Sequence, residues 1–540
     1  IKPEFILDQV IHDENKIVEN EVKDDQKKSE NSKRKRGQNK DRRKLNERNS
    51  KLRMEKIFKI CHKLAADGQC PYGDRCNNSH NLDEFAQNRL TDINNDCYAF
   101  NQFGKCHYGI ACRFGGCHLN GTQNIIDNDK FEQSNHAIQT YNSLSKELQS
   151  QLRKKVYDFS LANKAVDDVM KLSHDQLNIK RNNKSKIDFR GKLYLAPLTT
   201  VGNLPFRRIC KQFGADITCG EMALCTNLLE GQQSEWALLK RHHSEDIFGV
   251  QICGSHPDTM SKCAQMINEN CKVDFIDVNM GCPIDLIYKK GAGAGLMEKR
   301  KKFQEIIYGM SNVIDCCLTV KMRTGVYDGK SCAHKVISTI KEWEGQNPID
   351  LITIHGRSRE QRYTKIADWN YINECAQLAD PIPVFGSGDV LSYEDYYNNL
   401  DETKVSGIMI ARGALIKPWI FDEIKQKKHW DITSTERFDM LKQYVNYGLE
   451  HWGSDALGVD KTRRFLLEWL SFLHRYIPVG LLERLPQKIN ERPLCYRGRN
   501  QLETLMASSS CKHWIQISEM LLGKVPNEFI FIPKHKANAY

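Results

Sequence analysis

A chain of 540 residues is too long for one hydrophobic core, so roughly two to four domains are expected. Charged residues make up 27% and the net charge is +11, which fits a protein that meets a polyanion without saying which one. No run approaches the roughly eighteen apolar residues that would cross a bilayer, and no secretory signal opens the chain. The 20 cysteines are scattered through apolar segments (Cys210, Cys219, Cys263, Cys271, Cys316, Cys317) or sit at metal-ligand spacing, so a reducing compartment, cytoplasm or nucleus, is expected.

The first 56 residues read as a solvated arm. Residues 1–30 are polar and mildly acidic; the sign then reverses in Lys33-Arg-Lys-Arg36 and runs on to Lys56, with twelve Lys or Arg against three Asp or Glu. With almost no apolar side chains this segment cannot bury a core, and disorder is expected over 1–56. Nuclear import or RNA contact would use its charge.

Residues 57–120 carry an internal repeat of period 36. Cys61, Cys70 and Cys76 recur as Cys97, Cys106 and Cys112, and Tyr72-Gly73 recurs as Tyr108-Gly109. The first copy closes with His80, giving three thiolates and one imidazole, a set that suits tetrahedral Zn²⁺. The second copy has five residues, not three, between Cys112 and His118, so Cys117 competes with His118 for the fourth place; His118 is favoured. The spacing resembles the CCCH zinc fingers that bind single-stranded RNA. Phe58, Tyr72, Tyr98, Phe103, Tyr108 and Phe114, interleaved with Lys59, Lys63, Arg75, Lys105 and Arg113, offer stacking faces beside phosphate-pairing charge. The alternative is that the fingers only pack on a neighbouring domain.

Residues 121–188 read as a helical connector, with Leu148, Leu152, Val156 and Phe159 at helical spacing, expected to cover the bottom of the next domain. From 189 to 425 apolar strand-like runs alternate with helical stretches: Leu193-Ala196, Ile217-Glu221, Ile247-Ile252, Phe275-Asn279, Leu318-Met322, Leu351-His355, Pro383-Gly386 and Gly407-Ala411. Eight such runs in this length predict an α/β fold, a (β/α)₈ TIM barrel. A doubly wound sheet would want a Gly-x-Gly-x-x-Gly turn after its first strand, and Ala196-Pro-Leu-Thr-Thr200 is not one.

Barrel enzymes place their chemistry at the C-terminal ends of the strands. Standing there in order are Pro197 with Thr199, Glu221, Gln251, Asn279 with Cys282, Lys321 with Arg323, His355 with Arg357, Gly388 with Asp389, and Arg412 with Gly413. Any one could be a solvated strand end or a satisfied core group; eight at one rim are hard to explain that way. The Gly-bearing turns Gly386-Ser-Gly-Asp389 and Ala411-Arg-Gly413 follow strands seven and eight, where such barrels commonly hold a phosphate on backbone N–H groups. Gln251 can pair with a pyrimidine-like ring edge and Lys321 can stabilise negative charge on a reduced flavin, so the set points to FMN.

Beyond 426 the periodicity is helical throughout: Phe438, Leu441, Val445, Leu449 and Trp452, then Phe465, Leu466, Trp469, Leu470, Leu473 and Tyr476. A helical domain and tail are expected over 426–540. Arg484, Lys488, Arg492, Arg497 and Arg499, with Tyr496, are candidates for phosphate contacts, with an ordinary solvated surface as the alternative.

Taken together, Leu195-Ala-Pro-Leu-Thr, Gly249-Val-Gln-Ile, Asp277-Val-Asn-Met-Gly-Cys-Pro, Val320-Lys-Met-Arg-Thr-Gly, Ile354-His-Gly-Arg, Ala367-Asp-Trp and Ile410-Ala-Arg-Gly-Ala resemble the FMN-dependent tRNA-dihydrouridine synthases, in their zinc-finger subfamily. The resemblance covers roughly 57 to 525. It implies that Pro197, Leu198, Thr199, Gln251, Lys321, His355, Ser387, Gly388, Asp389, Ala411 and Arg412 hold FMN and that Cys282 is the proton donor. It also implies that Asn279, Arg323 and Arg357 lie near the target uracil. Ser387 departs from the family's usual Asn. Further implications are NADPH or NADH as reductant, two structural Zn²⁺ ions, tRNA as substrate (which could extend to mRNA), a helical domain that grips tRNA, and a monomer. The rival readings are a small-molecule flavin barrel, which has no use for RNA-type fingers, and an RNA-binding protein with an inactive barrel, against which Cys282, Lys321 and His355 argue.

Overall fold

The structure, a computed structural model, describes residues 1–7, 60–135, 140–171, 186–343, 347–361, 363, 365–527 and 529–534. The basic run Lys33 to Lys56, and Phe58 and Lys59, lie outside them. The chain divides into two compact units, one of residues 139–430 with 486–492, the other of 1–138, 431–485 and 493–539.

The first unit is a closed barrel of eight parallel strands. They are β1 (Tyr194–Leu195), β2 (Ile217–Cys219), β3 (Ile247–Cys253), β4 (Phe275–Met280), β5 (Cys317–Arg323), β6 (Ile349–His355), β7 (Val384–Ser387) and β8 (Gly407–Ile410). Each pairs with its neighbours in chain order, β8 pairs with β1, and a short extra strand, Ala223–Leu224, lies parallel beside the end of β3. All six residues of β4 are buried, as an apolar run covered on both faces requires.

Strand parity sorts the interior into layers. Phe275, Cys317, Leu351, Phe385 and Met409 form one apolar cluster with Tyr194 and Ile217, and Phe189 packs edge-on to Phe275 at 5.8 Å. Two residues on in β4 and β5 come Asp277 and Thr319, in register with each other, and two further on Asn279 and Lys321. The interior is therefore greasy below and polar toward the rim. Gly249 of β3 sits under the Phe275 ring, where a Cβ would meet ring carbon at 2.1 Å.

Surrounding helices have their own start signals. Asn203 accepts from the Phe206 N–H to open Leu204–Gln212, with Pro205 in the first turn, and Ser392 with Asp395 forms a capping box for Tyr393–Glu402.

The connector expected over 121–188 is divided. Residues 121–135 belong with the fingers. Thr140–Tyr141 pairs antiparallel with Arg241–His242, and Asn142 bonds the Leu239 carbonyl and the Lys272 N–H, both ahead of barrel strands, so this part covers the bottom as expected. Helix Ser160–Lys171 instead lies on the barrel's flank against Pro257–Asn270 and Arg300–Ser311, burying Ala162, Ala165 and Val169.

In the second unit the two repeats share one build. Helices His62–Asp67 and Tyr98–Phe103 each end on a left-handed glycine, Gly68 and Gly104, whose N–H returns to the helix. The helical part is a hairpin of Ser434–Trp452 and Ala456–Leu473, with Tyr444 and Trp469 ring centroids at 4.9 Å and Trp452 stacked on Phe465 at 4.6 Å. Cys511–Leu522 packs against it, and Arg463 reaches Ser518 and the Leu522 carbonyl.

Candidate active site and metal centres

Cys282 follows β4 in a loop held from below by one amide. Asn279 Oδ1 accepts the backbone N–H groups of Gly281 (3.2 Å) and Cys282 (2.9 Å), while its Nδ2 donates to Gln251 Oε1 (2.7 Å). Gln251 Nε2 donates to Asp277 Oδ2 (2.8 Å), and Thr319 Oγ1 to Asp277 Oδ1 (2.6 Å). Arg323 secures the loop from the side, giving Nε to the Gly281 carbonyl (2.8 Å) and Nη1 to Ser358 (3.0 Å). Gly293, at φ +57°, lets the next segment approach: a Cβ there would stand 2.9 Å from Cys282 Cβ.

Cys282 is buried among Cys253, Ile287 and Ala292. Burial raises its thiol pKa, against the Ile284 N–H and the charges of Arg323 and Lys321, so the thiol is protonated at neutral pH. Lys321 is pushed down to about 8, first by burial and then by Arg323. Burial and four neighbouring cations hold His355 well below the usual imidazole range, so it is neutral. Its Nε2 is buried with no partner among the described residues. Asp277 is raised to about 6 by burial, in spite of Thr319, Gln251 and Lys321.

A cavity opens above this layer, lined by Pro197, Leu198, Lys321, Arg323, His355, Ser387, Gly388, Asp389, Ala411 and Arg412 among others. Thr199 is exposed and does not line it; Gln251 lies one layer below. The Asp389 carboxylate is shared by Arg357 Nη2 (2.6 and 2.7 Å), Arg412 Nη2 (2.7 Å) and the Ala367 N–H (2.8 Å). Burial alone would raise its pKa, but Arg357 and these neighbours bring it below the usual carboxylate value.

Arg357 departs from the expectation that it meets the substrate. It is 0% exposed and does not line the cavity; Nη2 is held by Asp389 and Nε by the Lys365 carbonyl, which braces the loop after β7 from behind, while Nη1 has no partner among the described residues. Tyr363 and Ile489 are cavity residues that the sequence did not single out. Tyr363 lies under Arg412, 4.2 Å from ring centroid to guanidinium, in a loop with no periodicity to flag it. Ile489 comes from a short segment, 486–492, that leaves the helical domain's sequence to join the barrel unit.

The cavity suits an anionic group carrying a polar ring. Its lining presents Lys321, Arg323 and Arg412 against one carboxylate that is already shared between two arginines, together with an unpartnered imidazole nitrogen.

The metal candidates also converge. Cys61, Cys70, Cys76 and His80 bring their ligand atoms within 4.8 Å of one another, and so do Cys97, Cys106, Cys112 and His118. Cys97 and Cys112 sulfurs are 3.8 Å apart, close to the edge of a tetrahedron with Zn–S bonds of about 2.3 Å. His118 Nδ1 donates to Asn124 Oδ1 (2.9 Å), whose amide donates to the Cys106 and Ala66 carbonyls, leaving His118 Nε2 buried, without a hydrogen-bond partner among the described residues, and available to a metal. Cys117 turns to the Phe114 carbonyl instead.

The second finger is built into its unit rather than displayed. The Arg113 N–H bonds the Ser454 carbonyl, Tyr98 meets Tyr447, Tyr108 lies against Gly453, and Phe114 is buried. Of the aromatics expected as stacking faces, Tyr72 is the exposed one among the described residues, at 45%. Among the candidate phosphate contacts, Arg499 is taken by Asp431 and Glu503, Lys488 lies 3.6 Å from Asp395, and Tyr496 is buried with its hydroxyl on the Tyr476 carbonyl. Arg484, Arg492 and Arg497 are exposed.

A closed parallel barrel with a protonated thiol, a lysine and a neutral histidine at its C-terminal rim defines a barrel enzyme whose site suits an anionic group. The family model described as dihydrouridine synthase (Dus) matches residues 194–471, and that of the DUS3L CCCH zinc finger domain matches residues 51–87. Relatives include the tRNA-dihydrouridine(47) synthase [NAD(P)(+)]-like proteins of Xenopus tropicalis (54% identical over 89% of this chain and 80% of that one) and Homo sapiens (51%, 89% and 81%). The one from Oryza sativa subsp. japonica is 42% identical over 89% of this chain and 86% of its own. The chain belongs to the tRNA-dihydrouridine synthase family of oxidoreductases, in its zinc-finger branch.

Proposed function

We propose that this chain reduces the C5=C6 bond of a uridine in tRNA, using FMN held in the barrel mouth and NADPH as reductant, and that the uridine is at position 47, the position in its relatives' names. The observation that carries the reading is one cation-rich cavity lined by Lys321 and His355, whose wall includes Gly281, the residue before the protonated Cys282. FMN, when bound and reduced, would supply the hydride for C6.

The side chains do the rest. The turns at Ser387 to Asp389 and Ala411 to Arg412 would hold the phosphate, with Arg412 as its charge partner and Pro197 and Leu198 along the ring. Lys321 favours negative charge on that ring. Gln251, Asn279 and Arg323 keep the loop of Cys282 in place, and the thiol gives its proton to C5, then recovers one from solvent. A thiol raised by burial suits an acid, whereas a nucleophile would need a lowered pKa. The uridine must be unstacked to bring C5 to a buried thiol.

The two ligand clusters support two structural zinc ions, one per finger. Exposed Tyr72, Arg484, Arg492 and Arg497 and the basic run Lys33 to Lys56 support an RNA role, which could extend to mRNA and to work in both cytoplasm and nucleus.

Incubating the FMN-loaded protein with unmodified tRNA and NADPH, and mapping dihydrouridine nucleotide by nucleotide, tests the reading. Dihydrouridine at position 47 is expected. None at all would overturn the function, and formation only elsewhere would overturn the target.

A further inference from the structure

We propose that Asp277 is a positioning residue for the proton-donor loop, acting through the two amides above it; this rests on the reading of Cys282 as donor. The role lies in hydrogen-bond direction. A side-chain amide carries a donor end and an acceptor end, and a flip exchanges them. Two amides in series, Gln251 and Asn279, therefore have two senses available, and only one puts Asn279 Oδ1 under the Gly281 and Cys282 N–H groups.

Asp277 selects that sense. An ionised carboxylate only accepts, so Gln251 must turn its NH₂ toward Asp277 Oδ2, which leaves Oε1 to receive Asn279 Nδ2 and Asn279 Oδ1 to receive the loop. Thr319 takes the other Asp277 oxygen and keeps the carboxylate square to the chain. Strand register brings the groups together: Gln251 lies opposite Asp277 across β3 and β4, and Thr319 opposite Asp277 across β4 and β5. The acceptor end of the relay is 2% exposed, and Gln251 is equally buried, so water does not compete for either. With both ends demanding the same sense, the loop is ordered before substrate arrives.

The role requires an acceptor at 277, not a charge as such. In Asp277→Asn the new amide can hand its NH₂ to Thr319 Oγ1 and keep its oxygen for Gln251. In Asp277→Leu, of similar size, no acceptor remains. Asp277→Leu leaves the Gln251 NH₂ and the Thr319 hydroxyl without their acceptor, which costs stability, so its folding is measured alongside its activity.

The test uses full-length FMN-loaded protein reduced by NADPH, with flavin oxidation by tRNA followed by rapid mixing and backbone exchange at Gly281 and Cys282 followed by mass spectrometry. D277L is expected to slow tRNA-dependent oxidation at least about tenfold, the scale of a displaced reacting group, and to speed exchange at both amides. D277N should stay close to wild type in both. Wild-type oxidation by D277L, or equal damage in D277N, would overturn the role. If D277L does not fold, wild-type exchange decides: Gly281 and Cys282 amides no slower than free loop amides would contradict the relay. C282A measured alongside separates the two claims, because its wild-type oxidation rate would sink the donor assignment, whereas an inactive C282A beside an unaffected D277L sinks only the positioning.

Discussion

Asp389 holds two buried guanidinium groups, and removing it takes the carboxylate from both. Breaking a buried pair from one side costs about 3–5 kcal/mol, so Asp389→Ala should lower the unfolding free energy by about that much, read from denaturant titration, and release bound flavin as the loop after β7 loosens. Because the folded-state pKa of Asp389 lies below its ordinary value, its contribution is complete above the usual carboxylate range and is lost as pH falls through the lower folded value. Lys321 works in the opposite direction. Its pKa of about 8 means it is charged at neutral pH, and an anionic ligand at Nζ raises that pKa again, so flavin affinity should fall as pH rises beyond about 8. Flavin fluorescence quenching across pH 7 to about 10 measures this; a flat profile in wild type would remove Lys321 from the ligand's charge. Single residues were legible where their type matched a strand end: Lys321, His355, Cys282. Arg357 could not be placed from sequence, because an arginine beside the rim reads alike whether it faces the cavity or lies behind Asp389. Only the third dimension separates the two.

At the level of elements, β3 and β4 show how a strand's sequence sets the layer above it. Phe275 fills the barrel over Gly249, so Gly249→Ala should cost at least about 1–3 kcal/mol by overpacking, read as a lower urea midpoint. A midpoint equal to wild type would mean that the ring has room to move. All eight strands were legible because each is a short apolar run closed by polar residues at one end. Parity then decides which of those residues point inward, and β4 alternates Phe275, Asp277 and Asn279 on the inner face. The connector was harder. Its helical spacing was visible, but helix Ser160–Lys171 found the flank rather than the bottom, since an amphipathic helix specifies that it is covered and not by what.

Across the whole molecule, two folding principles sit on one chain. The barrel has an extensive apolar interior, whereas the fingers share a small one of Ile60, Ala65, Phe85, Ile110 and Ala111 and depend on their ligand clusters as well. Atomic emission should find two zinc ions per chain, and chelation should unfold the finger segment while the barrel keeps its flavin colour. Loss of the colour together with the metal would contradict that independence. The repeat of cysteines made the fingers readable; their packing was not, because Tyr98, Tyr108 and Phe114 look the same whether they wait for a base or lie in a core. The account as a whole turns on the role of Cys282. Full-length Cys282→Ala should purify yellow and lose its colour with NADPH at the wild-type rate, yet fail to regain it, or to form dihydrouridine, when tRNA is added. Recovery of colour and dihydrouridine at the wild-type rate would contradict the assignment of that thiol as the acid.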